Sequence, residues 1–414
     1  MKTRFSIALF LFVFLFSNFH CFTNSILAQE KKFSGFLPDG ETYVDVFVAD
    51  GIIEHIEPSD PDTTEQKKVY ISPGFIDTQV NGYSSISFNK EGLTEAKIKE
   101  LTKALWKEGV TTYFPTLITN PSELILENLK ILSIACQDPQ LRHTIPGYFL
   151  EGPYISPLDG YRGAHQKEWV RSPDWNEFVS FYDAAEGRII QVGLAPEIDG
   201  AMEFIEKSRE KSIVISLAHH NAPTSKIEEA VNLGASVSTH LGNGSANMIH
   251  RHENQLWPQL AESRLTPSII ADGHHLRKEE LVVFFKIKGP RNLMLVSDAT
   301  ELAGMPPGTY QWNGKEVVMT DDGMLMYPEQ NVLAGASFPI RIGVGNMMKF
   351  VGCSLEDGLL MASETPARIY SLENRGKLTK GFYADMILFE ILDGELVILK
   401  TISKGEVVYE KGTK

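Results

Sequence analysis

Ile213-Val214-Ile215-Ser216-Leu217-Ala218-His219 and, a helix-length interval later, Val237-Ser238-Thr239-His240 decide how this chain is read. Each is a short apolar run of the kind that forms a buried strand, and each closes on a histidine. Between them Thr224 or Ser225 can cap a helix that turns Ile227, Ala230 and Val231 inward and stops at Gly234. Strand, helix, glycine, strand is the grammar of a right-handed βαβ unit. Six further runs repeat it: 75–81, 112–118, 148–151, 189–197, 269–272 and 293–298. Leu93, Ile98, Leu101 and Leu105 recur at near-helical spacing before Gly109, and Pro121-Ser122 opens a helix carrying Leu124, Leu129 and Leu132. Eight such units predict an α/β fold, a (β/α)8 TIM-like metal-dependent hydrolase barrel whose strand C-termini converge on one site.

The flanks read differently. Tyr43-Val44-Asp45-Val46-Phe47-Val48 and Gly51-Ile52-Ile53-Glu54-His55-Ile56 alternate in strand fashion around an Asp50-Gly51 turn, and the texture returns in 385–389, 395–399 and 406–409. Neither end can bury a core alone, so both are expected to build one small β-sandwich domain, from 29–72 and 376–414. The barrel then occupies 73–375, with a β insertion around 308–332 signalled by Tyr310 to Met319 and Asp322 to Met326. Helices are expected at 340–350 and 355–362.

With 414 residues, 43% of them hydrophobic, the chain has core enough for both parts. A net charge of −14 and the lack of a basic run set nucleic acid aside as a partner. Lys2 and Arg4, the apolar stretch Phe5 to Phe16, and Ile26-Leu27-Ala28 fit a secretory signal over 1–28, cleaved after Ala28. Roughly 12 apolar residues fall short of the ~20 a bilayer span needs, so the mature chain is expected to carry no stable membrane span. Export, to a periplasm, is the expected localisation, with the cytoplasm as the alternative if the signal is not used. Cys21 leaves with the signal, and Cys136 and Cys353 are expected as two buried free thiols, a single bridge being the alternative.

Chemistry concentrates at the strand ends. Glu151, His219 and His240 together make a suitable shell for Zn²⁺ or another borderline divalent ion, leaving a position for water. A water held by such an ion can have its pKa lowered from about 15.7 to about 7. Asp298, closing Leu293-Met294-Leu295-Val296-Ser297, is then placed to accept the proton and pass it to a leaving amine. His165, Asn243, Arg251, His252 and the pair His274-His275 cluster at the same rim, and Arg251 with His275 can hold an anionic group.

These stretches resemble one family, the N-acetylglucosamine-6-phosphate deacetylases of the amidohydrolase superfamily. The matching motifs run in order: Pro73 to Gly82, Pro115 to Thr119, Leu150-Glu151-Gly152-Pro153, Gly163-Ala164-His165, Leu194 to Glu197, Ala218 to Ala222, Thr239 to Asn243, Ile270 to Gly273, Val296 to Thr300 and Leu333-Ala334-Gly335. Late matches at Thr365-Pro366-Ala367 and Gly381 to Asp385 mark the return to the small domain.

The resemblance implies Glu151, His219 and His240 as ligands of one divalent metal, Zn²⁺ first, with Fe²⁺, Co²⁺ or Mn²⁺ as alternatives. It implies Asp298 as acid/base and His165, beside Ala164, on the acetamide or sugar. It places Asn243 and Gly244 on the substrate, Arg251 and His275 on its phosphate from a neighbouring subunit, and Leu333, Ala334 and Gly335 along the pocket, in a homodimer. Many amidohydrolases carry His-x-His after the first strand and hold a second metal; Gln79 and Asn81 stand here, and neutral amides are poor ligands, so a single metal is expected. The turn after His240 departs from the family, with Gly242 and Gly244-Ser245 where bulkier residues are usual.

The leading expectation is metal-dependent removal of acetate from N-acetylglucosamine 6-phosphate or a related N-acetyl amino sugar. The alternatives are another amidohydrolase, such as an exported N-acyl amino-acid deacylase, and an inactive sugar-binding protein.

Overall fold

The computed structural model describes residues 30–61, 67–312, 314–328 and 332–412; the expected signal at 1–28, with Cys21, lies outside them. Each of the eight expected runs meets a strand: Phe75–Val80, Val110–Ile118, Tyr148–Glu151, Ile189–Leu194, Val214–Leu217, Ala235–Ser238, Thr266–Ile269 and Met294–Leu295, the seventh lying ahead of the expected 269–272 and sharing only Ile269 with it. They pair in parallel in that order. Asp298 N donates to Gln79 O at 3.0 Å and Asn81 N to Ala299 O at 2.9 Å, which joins the last strand to the first and closes the barrel.

The helices follow from the spacing of apolar residues. Glu95–Lys107 turns Ile98, Leu101 and Leu105 into the core, and the Thr94 side chain accepts from Lys97 N to satisfy an otherwise orphaned donor. Thr224–Leu233 buries Ile227, Ala230 and Val231 and stops at Gly234 as expected, but Thr224 is already its first helical residue. Pro223 stands at the cap, so no side chain supplies the capping bond expected of Thr224 or Ser225.

The chain ends form one seven-stranded sheet, in the spatial order Glu406–Glu410, Glu395–Ser403, Met386–Leu392, Tyr70–Pro73, Lys31–Phe36, Tyr43–Ala49 and Ile52–Pro58. Tyr70–Pro73 lies between the two contributions: it pairs with Phe36 on one side and antiparallel with Met386–Phe389 on the other. Val44, Val46, Val48, Ile53, Ile71, Met386 and Ile402 bury a small core of their own.

A buried charged cluster ties this sheet to the N-terminal face of the barrel. Asp385 takes bonds from His143 Nε2 at 2.8 Å, Arg375 Nη1 at 3.1 Å and Lys404 N at 2.7 Å, while Arg375 also reaches Thr112 Oγ1 at 2.9 Å and the His143 carbonyl at 2.7 Å. The Asp385 backbone carbonyl accepts from Gly74 N, at the entrance to the first barrel strand.

The insertion is a four-stranded antiparallel sheet of Gly308–Trp312, Lys315–Met319, Leu325–Tyr327 and Val332–Leu333. Cys136 and Cys353 are both free thiols; Cys136 is buried as expected, whereas Cys353 is only half-buried. No helix among the described residues is long and apolar enough to cross a membrane.

Candidate active site and metal centre

The ladder of hydrogen bonds stops short of the site. It ends at Leu217, Ser238 and Leu295, and His219, His240 and Asp298 follow with φ of 48°, 31° and 50°. Non-glycine residues seldom take this left-handed conformation, and three at the ends of the fifth, sixth and eighth strands mark a place where structure is given up for side-chain direction. Backbone bonds hold the bends: Ser156 N donates to His219 O at 3.0 Å and Leu241 N to Ser268 O at 2.9 Å. His240 N donates to Ser268 Oγ at 2.8 Å.

The bends bring three donors together. His240 Nε2 lies 2.9 Å from Glu151 Oε1 and 3.1 Å from His219 Nε2, and the third side, His219 Nε2 to Glu151 Oε1, is 3.4 Å. Ligands about 2.0–2.1 Å from a tetrahedral zinc stand about 3.3 Å from one another, so the triangle has the size of one face of such a site.

Proton positions agree. His219 Nδ1 lies 2.9 Å from the Tyr161 carbonyl, which can only accept, so the neutral ring carries its proton there and turns the Nε2 lone pair to the centre. Burial disfavours a charged Glu151, but the bonds to His219 and then His240 outweigh it and hold its pKa well below the usual carboxylate range. A converging carboxylate and imidazole lone pairs fit a divalent cation. His165 Nε2, 3.2 Å from His219 Nε2, makes a second, overlapping group with Glu151 and His219. The tighter triangle is the one that contains His240.

Asp298 is half-buried beside the triangle, facing the cleft. Burial first, and the Glu151 charge second, push its carboxyl up to about 7. Asn81 Nδ2 donates to Asp298 Oδ1 at 2.6 Å. His165 is fixed by Thr119 Oγ1 at 2.7 Å, and burial followed by the His219 charge lowers it to about 3, so its ring is neutral at ordinary pH.

Two glycines clasp the His219 ring. A Cβ on Gly163 would stand 2.9 Å from His219 Cε1, and one on Gly244 would stand 2.8 Å from its Nδ1, both at φ +60°. Gly244→Ala is therefore expected to displace the imidazole and weaken metal affinity by about 10–100-fold, as loss of ligand orientation does elsewhere. Chelator competition on the folded variant reads this directly, and an unchanged affinity would show that the ring has room to move.

These groups lie in a cleft of about 1400 Å³ that Ala164, His165, Asn243, Gly244, His275, Leu333 and Gly335 also line. His275 Nδ1 is held by the buried Asp272 carboxylate at 2.7 Å. Ala334, expected along the pocket, does not line it, and neither does Arg251, expected from a neighbouring subunit. Ala334 is fully buried, because its backbone N–H pairs with Leu325 O in the insertion. Arg251 is exposed and off the cleft wall: it sits on the outward loop that Asn254 and Trp257 fix, its carbonyl accepting from Trp257 Nε1 at 2.9 Å. His252 is exposed, and His274 turns to the Asp322 carbonyl at 3.2 Å.

Sequence reasoning assigns no task in the site to Asn81, Thr119 or the Tyr161 carbonyl. It also misses Glu301, which faces the cleft and accepts from Trp312 Nε1 and Lys90 Nζ, each at 2.6 Å. Asn81 is signalled by its place one residue beyond the first strand. A backbone carbonyl such as that of Tyr161 leaves no mark in residue identity.

Comparison with known proteins agrees with this fold. The amidohydrolase family profile matches residues 70–408. The N-acetylglucosamine-6-phosphate deacetylase of Mus musculus is 32% identical over 82% of this chain and 83% of its own length. An N-acetylgalactosamine-6-phosphate deacetylase of Escherichia coli O157:H7 is 29% identical over 83% of this chain and 89% of its own. The crystal structure of N-acetyl-D-glucosamine-6-phosphate deacetylase from Mycobacterium smegmatis superposes with a TM-score of 0.80 at 25% identity, covering 90% of this chain and 98% of that one. The Thermotoga maritima enzyme gives 0.78 at 27%, covering 91% and 99%. With the family profile matched over 70–408 and most of its length shared with a 32% identical deacetylase, the chain belongs to the amidohydrolase family, among its N-acetylglucosamine-6-phosphate deacetylases.

Proposed function

We propose that this chain hydrolyses the acetamide of N-acetylglucosamine 6-phosphate, or of a closely related N-acetyl amino sugar, to acetate and the free amine. The observation that carries the reading is the Glu151–His219–His240 triangle with Asp298 beside it in one cleft. Glu151, His219 and His240 would hold a single divalent ion, with zinc the choice that two imidazoles and a carboxylate favour. When bound, such an ion polarises a carbonyl and makes water acidic near neutral pH.

The remaining work belongs to the chain. Asp298 takes the proton of the attacking water as its oxygen bonds to the acetyl carbon, then gives that proton to the sugar nitrogen as the C–N bond breaks. Neutral His165 contacts the acetamide or a sugar hydroxyl without adding a charge. Asn243 and Gly244 form the wall, and His275 faces the cleft where an anionic group would lie. Arg251 would complete that anion site from the second copy of a homodimer, which its place on an exposed outward loop suits. Export by the N-terminal segment is part of the same proposal and bears on which sugars the protein meets.

Acetate release from N-acetylglucosamine with and without its 6-phosphate, and from N-acetylgalactosamine 6-phosphate, tests the reading on metal-quantified mature protein. The phosphorylated hexosamines are expected to be preferred, and Arg251→Ala should erode that preference while sparing the neutral sugar. Turnover of N-acyl amino acids with none of any hexosamine would replace the reading with a different amide hydrolase.

A further inference from the structure

Asn81 stands where two-metal members of the superfamily place the second histidine of His-x-His, and its surroundings give it another task. Its backbone is pinned from three directions: Asn81 N donates to Ala299 O at 2.9 Å, and Asn81 O accepts from Phe88 N at 3.0 Å and from Asn89 Nδ2 at 3.4 Å. Asn89 is itself fixed, accepting from Ile118 N at 2.7 Å and donating to Thr116 O at 2.9 Å. The side chain therefore projects from a rigid base at the seam between the first and last barrel strands.

From that base Nδ2 donates to Asp298 Oδ1 at 2.6 Å, the one side-chain bond the carboxylate receives among the described residues. Asp298 itself follows a strand end at φ 50°, where its backbone sets no regular side-chain direction. Asn81 Oδ1 is buried without a partner among the described residues, and the residue lines the cleft, so the amide keeps an acceptor for a substrate N–H or O–H.

We infer that Asn81 is the positioning residue of the reaction: its amide occupies one oxygen of Asp298, leaving the other as the single site of proton transfer. A carboxylate with two equivalent oxygens and a free torsion would spend part of its time misaligned, and a displacement near 1 Å can cost about 10²-fold in rate. The second histidine of the two-metal site has thus been exchanged for a group that orients the acid/base. The inference deepens the deacetylase reading and rests on it for its kinetic arm only.

The test compares Asn81→Leu, which keeps the volume without the amide, with Asn81→His, whose ring N–H can still donate. With the substrate best used by the wild type, Asn81→Leu is expected to lose about 10²-fold in kcat with KM within about twofold. Its metal content should stay full and its solvent deuterium isotope effect on kcat should rise, because proton transfer becomes slower. Asn81→His should recover part of the loss. A kcat for Asn81→Leu near that of the wild type, or an effect confined to KM, overturns the inference. Crystal structures of the zinc-loaded wild type and Asn81→Leu decide the matter without any substrate. Asp298 should turn from its wild-type rotamer in the variant, and an unmoved carboxylate overturns the inference even if every hexosamine proved inert, an outcome that would by itself count only against the deacetylase reading.

Discussion

Asp298→Asn is expected to lower acetate release by about 10²–10⁴-fold, the range that a positioned general acid/base supplies. The substitution is nearly isosteric and keeps an oxygen for the bond from Asn81 Nδ2, now 2.6 Å from Oδ1. It removes the ability to take up and return a proton. Asp298 is not a corner of the Glu151–His219–His240 triangle, so the variant should still bind one equivalent of metal, read by elemental analysis, and substrate affinity should change little. A variant that keeps wild-type turnover would transfer the acid/base role to another group, and one that loses its metal would make Asp298 a ligand.

The second large effect is on stability and arises at the other end of the barrel. Removing the Asp385 carboxylate by substitution with Ala leaves the buried Arg375 guanidinium facing His143 and Thr112 with no counter-charge. Breaking one side of a buried ion pair costs about 3–5 kcal/mol, or a fall of about 4–6 °C in unfolding midpoint for a chain of this length. Thermal unfolding by circular dichroism reads it.

The sign with pH follows from the direction of the shift. Burial opposes ionisation of Asp385, but the bond from His143, with the His143 and Arg375 charges, outweighs it and lowers the pKa below its unfolded value. The contribution is then complete above about pH 4 and disappears as pH falls through the lowered folded value. The gap between wild type and Asp385→Ala should accordingly narrow in acid; a gap that widened there would mean that His143, not Asp385, dominates the cluster. The cluster sits at the strand N-termini, a barrel length from Glu151, so the folded variant should retain its metal.

Much of the site is legible in the sequence because two signals coincide there. Glu151, His219, His240 and Asp298 each end an apolar run, and each is a type that binds metal or moves protons. The bends at His219, His240 and Asp298 are not legible, since His and Asp enter positive φ more often than other non-glycine residues but still in a minority of cases, so identity does not announce it. Ala334 departs from expectation for another reason. Motif order fixes which loop a residue is on, whereas its direction depends on bonds such as Ala334 N to Leu325 O, made between segments that sequence periodicity does not connect. Cys353 and the Pro223 cap are similar cases, decided by local packing within elements whose existence the spacing does reveal.

The sheet at the chain ends has a temporal consequence. Tyr70–Pro73 must find Met386–Phe389 before its second edge is covered, and Lys31 meets Glu406 at 2.6 Å. During synthesis Tyr70–Pro73 emerges a whole barrel ahead of its second neighbour, so this layer is completed only after the ribosome has finished the last strands. Contacts so distant in sequence close slowly. A nascent chain halted before residue 386 should hold Tyr70–Pro73 as an uncovered, protease-sensitive edge.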